Sequence, residues 1–314
     1  MTAQGTTLYL GVDGGGTSTV ALIAGPEGPV LGQGRSGPSN AKAVGLPRAR
    51  LAIDAAIGEA FSRAGLDRRA VETLCLGLAG FDRPEDRRIL ESWNEDAGWA
   101  RRLILVNDGD LVLAAGTPQG WGVGLIAGTG SIAVGRAPNG RKARAGGWGP
   151  LIGDEGSAYA VVLDALRLVA RRADGRDPRP PGTDHLSDQL REAFGAETPA
   201  QIVTGLYAPG MDRTHIAAIA PRVLELLDHD GDVANQILPR AGAALAELVV
   251  AVARSLGLDS GEFPLAMAGG FLLSSPALIA IVKASLIDAG LRVSVTQVPE
   301  PVQGALRLAQ SAGD

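Results

Sequence analysis

One cysteine, three histidines and three methionines leave this 314-residue chain short of soft metal ligands. The lone Cys75 lies in an apolar run, Thr73-Leu-Cys-Leu-Gly-Leu78. Neither a disulfide framework nor a thiolate-held cluster can be assembled within one chain, and Cys75 reads as a small buried strand residue. His185, His215 and His229 fall in helical or loop contexts without ligand spacing, which suits surface or cap roles. Lys and Arg form no block longer than a few residues and the net charge is −5, which disfavours a nucleic-acid face. The most apolar helix candidate, Ala241 to Leu256, is interrupted by Glu247 and Arg254. The opening residues Met-Thr-Ala-Gln-Gly-Thr-Thr carry no basic and apolar leader pattern. A soluble, cytoplasmic protein with no membrane or nucleic-acid partner is the expectation.

What is abundant is apolar surface and glycine. The chain is 46% hydrophobic and holds 44 glycines, clustered at the ends of apolar runs with no fixed period. Its length exceeds what one core usually supports, so two domains with a cleft between them are expected. Leu8 to Val12 and Val20 to Ala24 read as strands joined through Gly14-Gly15-Gly16, with Val30 to Gly34 a third strand. Leu46 to Ala64 has helical spacing, Val71 to Leu78 is a strand, Glu85 to Ala97 a helix and Leu103 to Val106 a strand.

The hairpin then recurs about 112 to 114 positions later: Gly122 to Ala127 runs into Gly128-Thr-Gly-Ser131, and Ile132 to Gly135 runs to the turn Pro138-Asn-Gly140. A duplicated strand-then-helix unit predicts two similar α/β halves, with the glycine tips meeting across the cleft. The boundaries expected are residues 1–116 for the first domain and 117–314 for a larger second one. The second carries a mostly helical stretch from Ser157 to Leu256, broken by a charged Pro/Gly loop at Asp174 to Gly182 and by Tyr207-Ala-Pro-Gly210. Phe263 to Ala268 and Arg292 to Val298 return as strands, Pro276 to Ala289 is a helix, and a closing helix at Gly304 to Ala312 is expected to pack back on the first domain.

Several residues can carry chemistry. In Gly11-Val-Asp13-Gly-Gly15-Gly16-Thr17, backbone N–H groups freed of Cβ obstruction can point at an anion, Thr17 adds a hydroxyl, and Asp13 can hold Mg²⁺, usually through water. The same residues also fit a plain hairpin turn. Thr129, Gly130 and Ser131 supply matching donors in the second half. Asp108, at the end of the strand Leu103 to Val106, can accept a proton from a hydroxyl attacking a phosphoryl group, or can cap the following helix, a role that suits Asp110 better. Gly147 and Trp148 make an aromatic platform among glycines, and Asp154 and Glu155 can accept from sugar hydroxyls or favour a helix N-terminus. Asn40 is an amide able to donate and accept, or a turn residue. Gly269 and Gly270 end a strand where adenine can lie close to backbone, or make a tight strand-to-helix turn.

Taken together, Gly11-Val-Asp-Gly-Gly-Gly-Thr17, Pro38-Ser-Asn40, Leu76-Gly-Leu-Ala-Gly80, Val106-Asn-Asp108, Ala127-Gly-Thr-Gly-Ser131, Gly146-Gly-Trp-Gly149, Gly153-Asp-Glu-Gly-Ser157, Ala268-Gly-Gly270 and Pro301-Val-Gln-Gly-Ala305 resemble the N-acetylglucosamine kinase branch of the actin/Hsp70/sugar-kinase superfamily, grouped with the BadF/BadG/BcrA/BcrD ATPases. The resemblance covers nearly the whole chain. It implies duplicated ribonuclease-H-like domains, ATP and Mg²⁺ as cofactors, and an ATP-dependent kinase acting on the 6-hydroxyl of N-acetylglucosamine or glucosamine. It also implies a homodimer that closes on its substrate. Carried over, Gly15, Gly16, Thr17, Thr129, Gly130 and Ser131 face ATP phosphates, with Asp13 at Mg²⁺. Gly269 and Gly270 lie near adenosine, Asp108 is the base, and Asn40, Gly147, Trp148 and Asp154 hold the sugar.

The ROK sugar kinases carry a cysteine-rich zinc motif and a Glu-x-Gly-His segment that are absent here. The alternative is a BadF/BcrA-type ATPase activator or an ATP-binding sensor. An activator of that kind holds an iron–sulfur cluster through two cysteines per subunit, and this chain has one cysteine. The substituents that separate N-acetylglucosamine, glucosamine and N-acetylmuramic acid would be read after Asn40 and around Phe81-Asp82.

Overall fold

The computed structural model describes residues 7–78, 84–180 and 182–312; the Ala79-Gly80 end of one motif and the Phe81-Asp82 loop lie outside them. In chain order the elements are β1 (Tyr9–Gly14), β2 (Thr19–Ala24), β3 (Val30–Ser36), α1 (Ala41–Val44), α2 (Leu46–Arg63), β4 (Val71–Leu78), α3 (Pro84–Ala97), β5 (Ala100–Val106) and α4 (Asp108–Gly116). Next come β6 (Gly122–Ala127), β7 (Ser131–Arg136), β8 (Lys142–Gly146), α5 (Ala158–Ala173), α6 (His185–Ala193), α7 (Pro199–Leu206), α8 (Arg213–Ala217) and α9 (Ala220–Leu224). A π-turn (Val233–Ile237) then leads to α10 (Leu238–Leu256), β9 (Glu262–Ala268), α11 (Gly270–Leu273), α12 (Pro276–Asp288), β10 (Arg292–Gln297) and α13 (Val302–Ser311).

The chain divides into two compact units, residues 1–121 with 300–314, and residues 122–299. Each holds one five-stranded sheet, in the orders β3-β2-β1-β4-β5 and β10-β9-β6-β7-β8. Read outward from β1 or β6, the two sheets are the same: an antiparallel three-stranded meander on one side and two parallel strands on the other. The duplication seen in the hairpins therefore extends to the whole sheet. Strand β8, the counterpart of β3, was not expected from the sequence. Lys142-Ala-Arg-Ala-Gly146 alternates long cations with small residues and offers no apolar run to detect.

In the first unit the two-residue period of β1 and β4 sends alternate side chains to opposite faces. Leu8, Leu10, Val12, Leu74 and Leu76 pack with Ile53, Ile57 and Phe61 of α2 on one face. Tyr9 and Cys75 pack with Leu111 of α4 and with Val302, Ala305 and Leu306 of α13 on the other. Cys75 is fully buried, and burial first, with the nearby Asp110 charge second, pushes its thiol up to about 12. A thiol held so far from its thiolate form is neither nucleophile nor metal ligand. Disulfide-exchange reagent is thus expected to leave native Cys75 untouched and to titrate one thiol after denaturation; rapid labelling of the folded protein would contradict this burial.

In the second unit, α10 lies along β6, β7 and β8 and packs against α12. The helical stretch 233–256 is long and apolar enough to cross a membrane by composition alone, yet half of that apolar window is buried inside the unit. Ala241, Leu245, Val249 and Val252 recur at helical spacing along its buried face, the pattern of a core helix.

Candidate active site

In the first unit the chemistry gathers at the carboxyl ends of parallel strands, where ligands of open α/β sheets commonly bind. Asp13 stands one residue before the end of β1, and Asp108 opens α4 directly after β5; both strands flank β4. Helix α4 starts earlier than the sequence suggested, because Asn107 and not Asp110 is its cap: the Asn107 side chain accepts from the Asp110 N–H at 2.8 Å. That leaves Asp108 in the first turn, where its Oδ1 accepts from Gly109 N–H at 3.0 Å. Burial first and the Asp108 charge second push Asp13 up to about 7.

The first glycine tip, residues 15–18, is strapped to the loop after β3. The Gly15 carbonyl accepts from both Ser39 and Asn40 N–H groups at 3.1 Å, while Gly15 N–H is used within the tip by the Ser18 carbonyl at 3.0 Å. Gly16 and Thr17 are exposed. Asn40 caps α1, its Oδ1 accepting from Lys42 N–H at 3.1 Å, so the structure brings Asp13, the tip and Asn40 into one neighbourhood.

In the second unit the tip spans residues 128–130 and is strapped more heavily. Gly128 N–H donates to the Gly130 carbonyl and the Gly128 carbonyl accepts from Ala158 N–H, each at 2.9 Å. Ser131 was expected among the phosphate donors, but its groups are committed inside the unit: its hydroxyl donates to the Glu155 carbonyl at 2.7 Å and its N–H to Asp154 Oδ1 at 3.2 Å. Thr129 and Gly130 are partly exposed. Gly130 is required here by close approach, since a Cβ at that position would lie 2.8 Å from Asp154 Oδ1.

Asp154 is 4% exposed and is the one non-glycine with left-handed backbone among the described residues, at φ 63°. Its Oδ1 thus braces the tip, a structural part beyond the sugar contact the sequence suggested. Ser157 caps α5, accepting from Ala160 N–H at 3.3 Å. Gly147 N–H donates to the Ser131 carbonyl at 2.9 Å, which sets the adjacent Trp148 beside the tip. The indole is 66% exposed, with the Arg144 guanidinium 5.3 Å from its ring centre. Gly269 closes β9 next to the end of β6; its φ of 99° and the 2.3 Å from an added Cβ to the Ala127 carbonyl oxygen exclude any side chain. The second unit therefore brings together Thr129, Gly130, Gly147, Trp148, Asp154, Gly269 and Gly270.

Among the described residues no group of three or more His, Cys, Asp and Glu side chains is placed to hold a metal ion. Asp13 and Asp108 remain as a pair of hard oxygen donors, a set that suits Mg²⁺, an ion that keeps much of its water and takes its remaining ligands from phosphates.

The model of the BadF/BadG/BcrA/BcrD ATPase family matches residues 10–309. The chain belongs to this family. It is 32% identical over 264 residues to the N-acetylmuramic acid/N-acetylglucosamine kinase of Clostridium acetobutylicum, covering 84% of this chain and 85% of that one. It is 33% identical over 275 residues to the N-acetyl-D-glucosamine kinase of Dictyostelium discoideum, with the same coverage. A Chromobacterium violaceum structure provisionally assigned as an N-acetylglucosamine kinase superposes with a TM-score of 0.78 at 28% identity, over 97% of this chain and 99% of that one. In this family member, each ribonuclease-H-like sheet carries one glycine tip.

Proposed function

We propose that this family member is an ATP-dependent amino-sugar kinase that phosphorylates the 6-hydroxyl of N-acetylglucosamine or glucosamine. The observation that carries the reading is the repeated sheet with a glycine tip on each copy, one of them beside the Asp13–Asp108 pair. The names of the two curated relatives support an amino sugar as the acceptor. Asp108, at the start of α4, takes the proton of the sugar hydroxyl as that oxygen attacks the γ-phosphorus. Gly16, Thr17, Thr129 and Gly130 give N–H and hydroxyl donors to the phosphates, with Gly15 shaping the first tip and Ser131 the second. Gly269 and Gly270 present bare backbone to adenosine. On the sugar side, Asn40, Gly147 and Asp154 supply polar contacts and Trp148 a flat apolar face. Mg²⁺ would be held by Asp13, through water, and would neutralise phosphate charge.

A soluble, cytoplasmic homodimer is part of the same proposal, following the family resemblance. The test is ADP release with N-acetylglucosamine, glucosamine, N-acetylmuramic acid and glucose, each with mass analysis of the product. A phosphorylated amino sugar, formed faster than with glucose, is the expected result. ADP release at one rate with or without any sugar would instead assign the chain to the ATPase activators.

A further inference from the structure

A buried carboxylate lies directly under the second glycine tip. Asp154 Oδ1 accepts from Ser131 N–H, and Gly130 passes so close that only glycine fits over it. A full negative charge in that position repels any phosphate brought to the tip unless a cation offsets it. Asp154 also sits in left-handed backbone, a conformation that costs a non-glycine residue free energy and persists only where the surroundings impose it.

One cation answers it. Arg213, the first residue of α8, places Nη1 3.7 Å from Asp154 Oδ2, and among the described residues no other cation forms an ion pair with this carboxylate. At 3.7 Å the two groups attract without a hydrogen bond, and among the described residues the guanidinium donates no hydrogen bond. The Arg213 side chain is 46% exposed, against 6% for Asp154. The pair therefore has a buried negative end under the tip and an open positive end beside it.

Resting on the kinase reading, we propose that Arg213 is a positioning residue for the nucleotide: it cancels the Asp154 charge under the tip and turns its free donors to the β- and γ-phosphates. Guanidinium donors match phosphate oxygens in pairs, whereas an ammonium offers a point charge, so Arg213→Lys keeps the charge and loses the fork.

The test is calorimetric titration of the full chain, without sugar, using MgATP and adenosine in parallel. Arg213→Ala is expected to weaken MgATP binding by about tenfold or more and leave adenosine binding unchanged; Arg213→Lys recovers part of the loss. If Asp154 is the charge being cancelled, Asp154→Asn on the Arg213→Ala background restores MgATP affinity towards that of Asp154→Asn alone, a coupling a purely structural role would not produce. Equal losses for MgATP and adenosine, unchanged MgATP affinity in Arg213→Ala, or strict additivity of the two substitutions overturns the proposal. Steady-state kinetics keeps it apart from the kinase reading. A wild type that binds MgATP yet phosphorylates no sugar sinks that reading while the binding comparison still decides Arg213. Where sugar turnover exists, Arg213→Ala raises KM for ATP by a larger factor than KM for the sugar, which Asp154 also contacts in the kinase reading.

Discussion

Asp108→Asn is expected to lower sugar-dependent ADP release by about two to four orders of magnitude, the usual worth of a positioned general base. The substitution keeps size and shape, and the amide oxygen can still accept from Gly109 N–H as Oδ1 does. The cap of α4 belongs to Asn107, so the helix start survives as well. What disappears is the charge, and Asp13 reports it. The Asp13 carboxyl is raised from 3.8 to about 7, by burial first and by Asp108 second. Between those values the folded chain holds a proton that the unfolded chain has released, so this group's contribution to stability is present at low pH and lost as pH rises through about 7. Removing the Asp108 charge removes part of that loss. In chelator-treated buffer at pH 8, the Asn variant is expected to melt above the wild type, and at pH 4 the two should converge. Turnover within about tenfold of wild type would take the base role from Asp108; a lowered melting temperature at pH 8 would contradict the charge argument.

Arg172→Met is expected to destabilise the second unit by about 3–5 kcal/mol, the range for leaving a buried ion group without its partner. The Arg172 side chain is 3% exposed at the end of α5. Its guanidinium donates to both oxygens of Asp230, at 3.2 and 3.1 Å, to Asp232 at 2.6 Å and to Asp184. Asp184 also caps α6, and Asp232 takes a second guanidinium from Arg179, so one cation ties together α5, α6 and the segment before the π-turn. Burial is the largest single influence on Asp230 and Asp232 and would raise both, but the hydrogen bonds and charge attraction of Arg172, joined at Asp232 by Arg179, together outweigh it and both are lowered.

Groups lowered in the fold stabilise it above the ordinary carboxylate range and lose that contribution as pH falls below about 4. Methionine reverses the sign: the carboxylates are left buried and facing one another, and binding protons relieves them. The gap between variant and wild type, measured by chemical denaturation, should be larger at pH 8 than at pH 5. A gap of less than about 1 kcal/mol at pH 8 would show the network to be solvated and weak.

The parts of the fold and site legible in the sequence are those whose signal is local. Gly14-Gly15-Gly16 and Gly128-Thr129-Gly130 end apolar strands, and their repetition gave both hairpins and the likeness of the halves. Strand β8 was invisible because the residues it pairs with β7 are Lys142, Ala143, Arg144, Ala145 and Gly146, which carry little apolar surface. The α4 cap went to Asn107 although Asp110 also suits a cap, a choice fixed by where β5 ends. Arg213 lies 59 positions after Asp154 at the start of a five-residue helix, and nothing nearby marks it. Arg172 and its three aspartates are spread over 61 positions, and each reads alone as ordinary surface charge. Long-range ion pairing leaves no periodic trace, whereas a glycine turn does.

Because α13 supplies Val302, Ala305, Leu306 and Ala309 to one face of the first sheet, the order of synthesis differs from the order of completion. Residues 122–299 form a contiguous stretch whose core is fully available once that stretch has left the ribosome. The first unit, begun earlier, has its α2 face ready early, while the face carrying Tyr9 and Cys75 stays uncovered until α13 has been translated. Of the two units, the one begun first is therefore completed second, and during that interval its apolar face is a natural client for a chaperone.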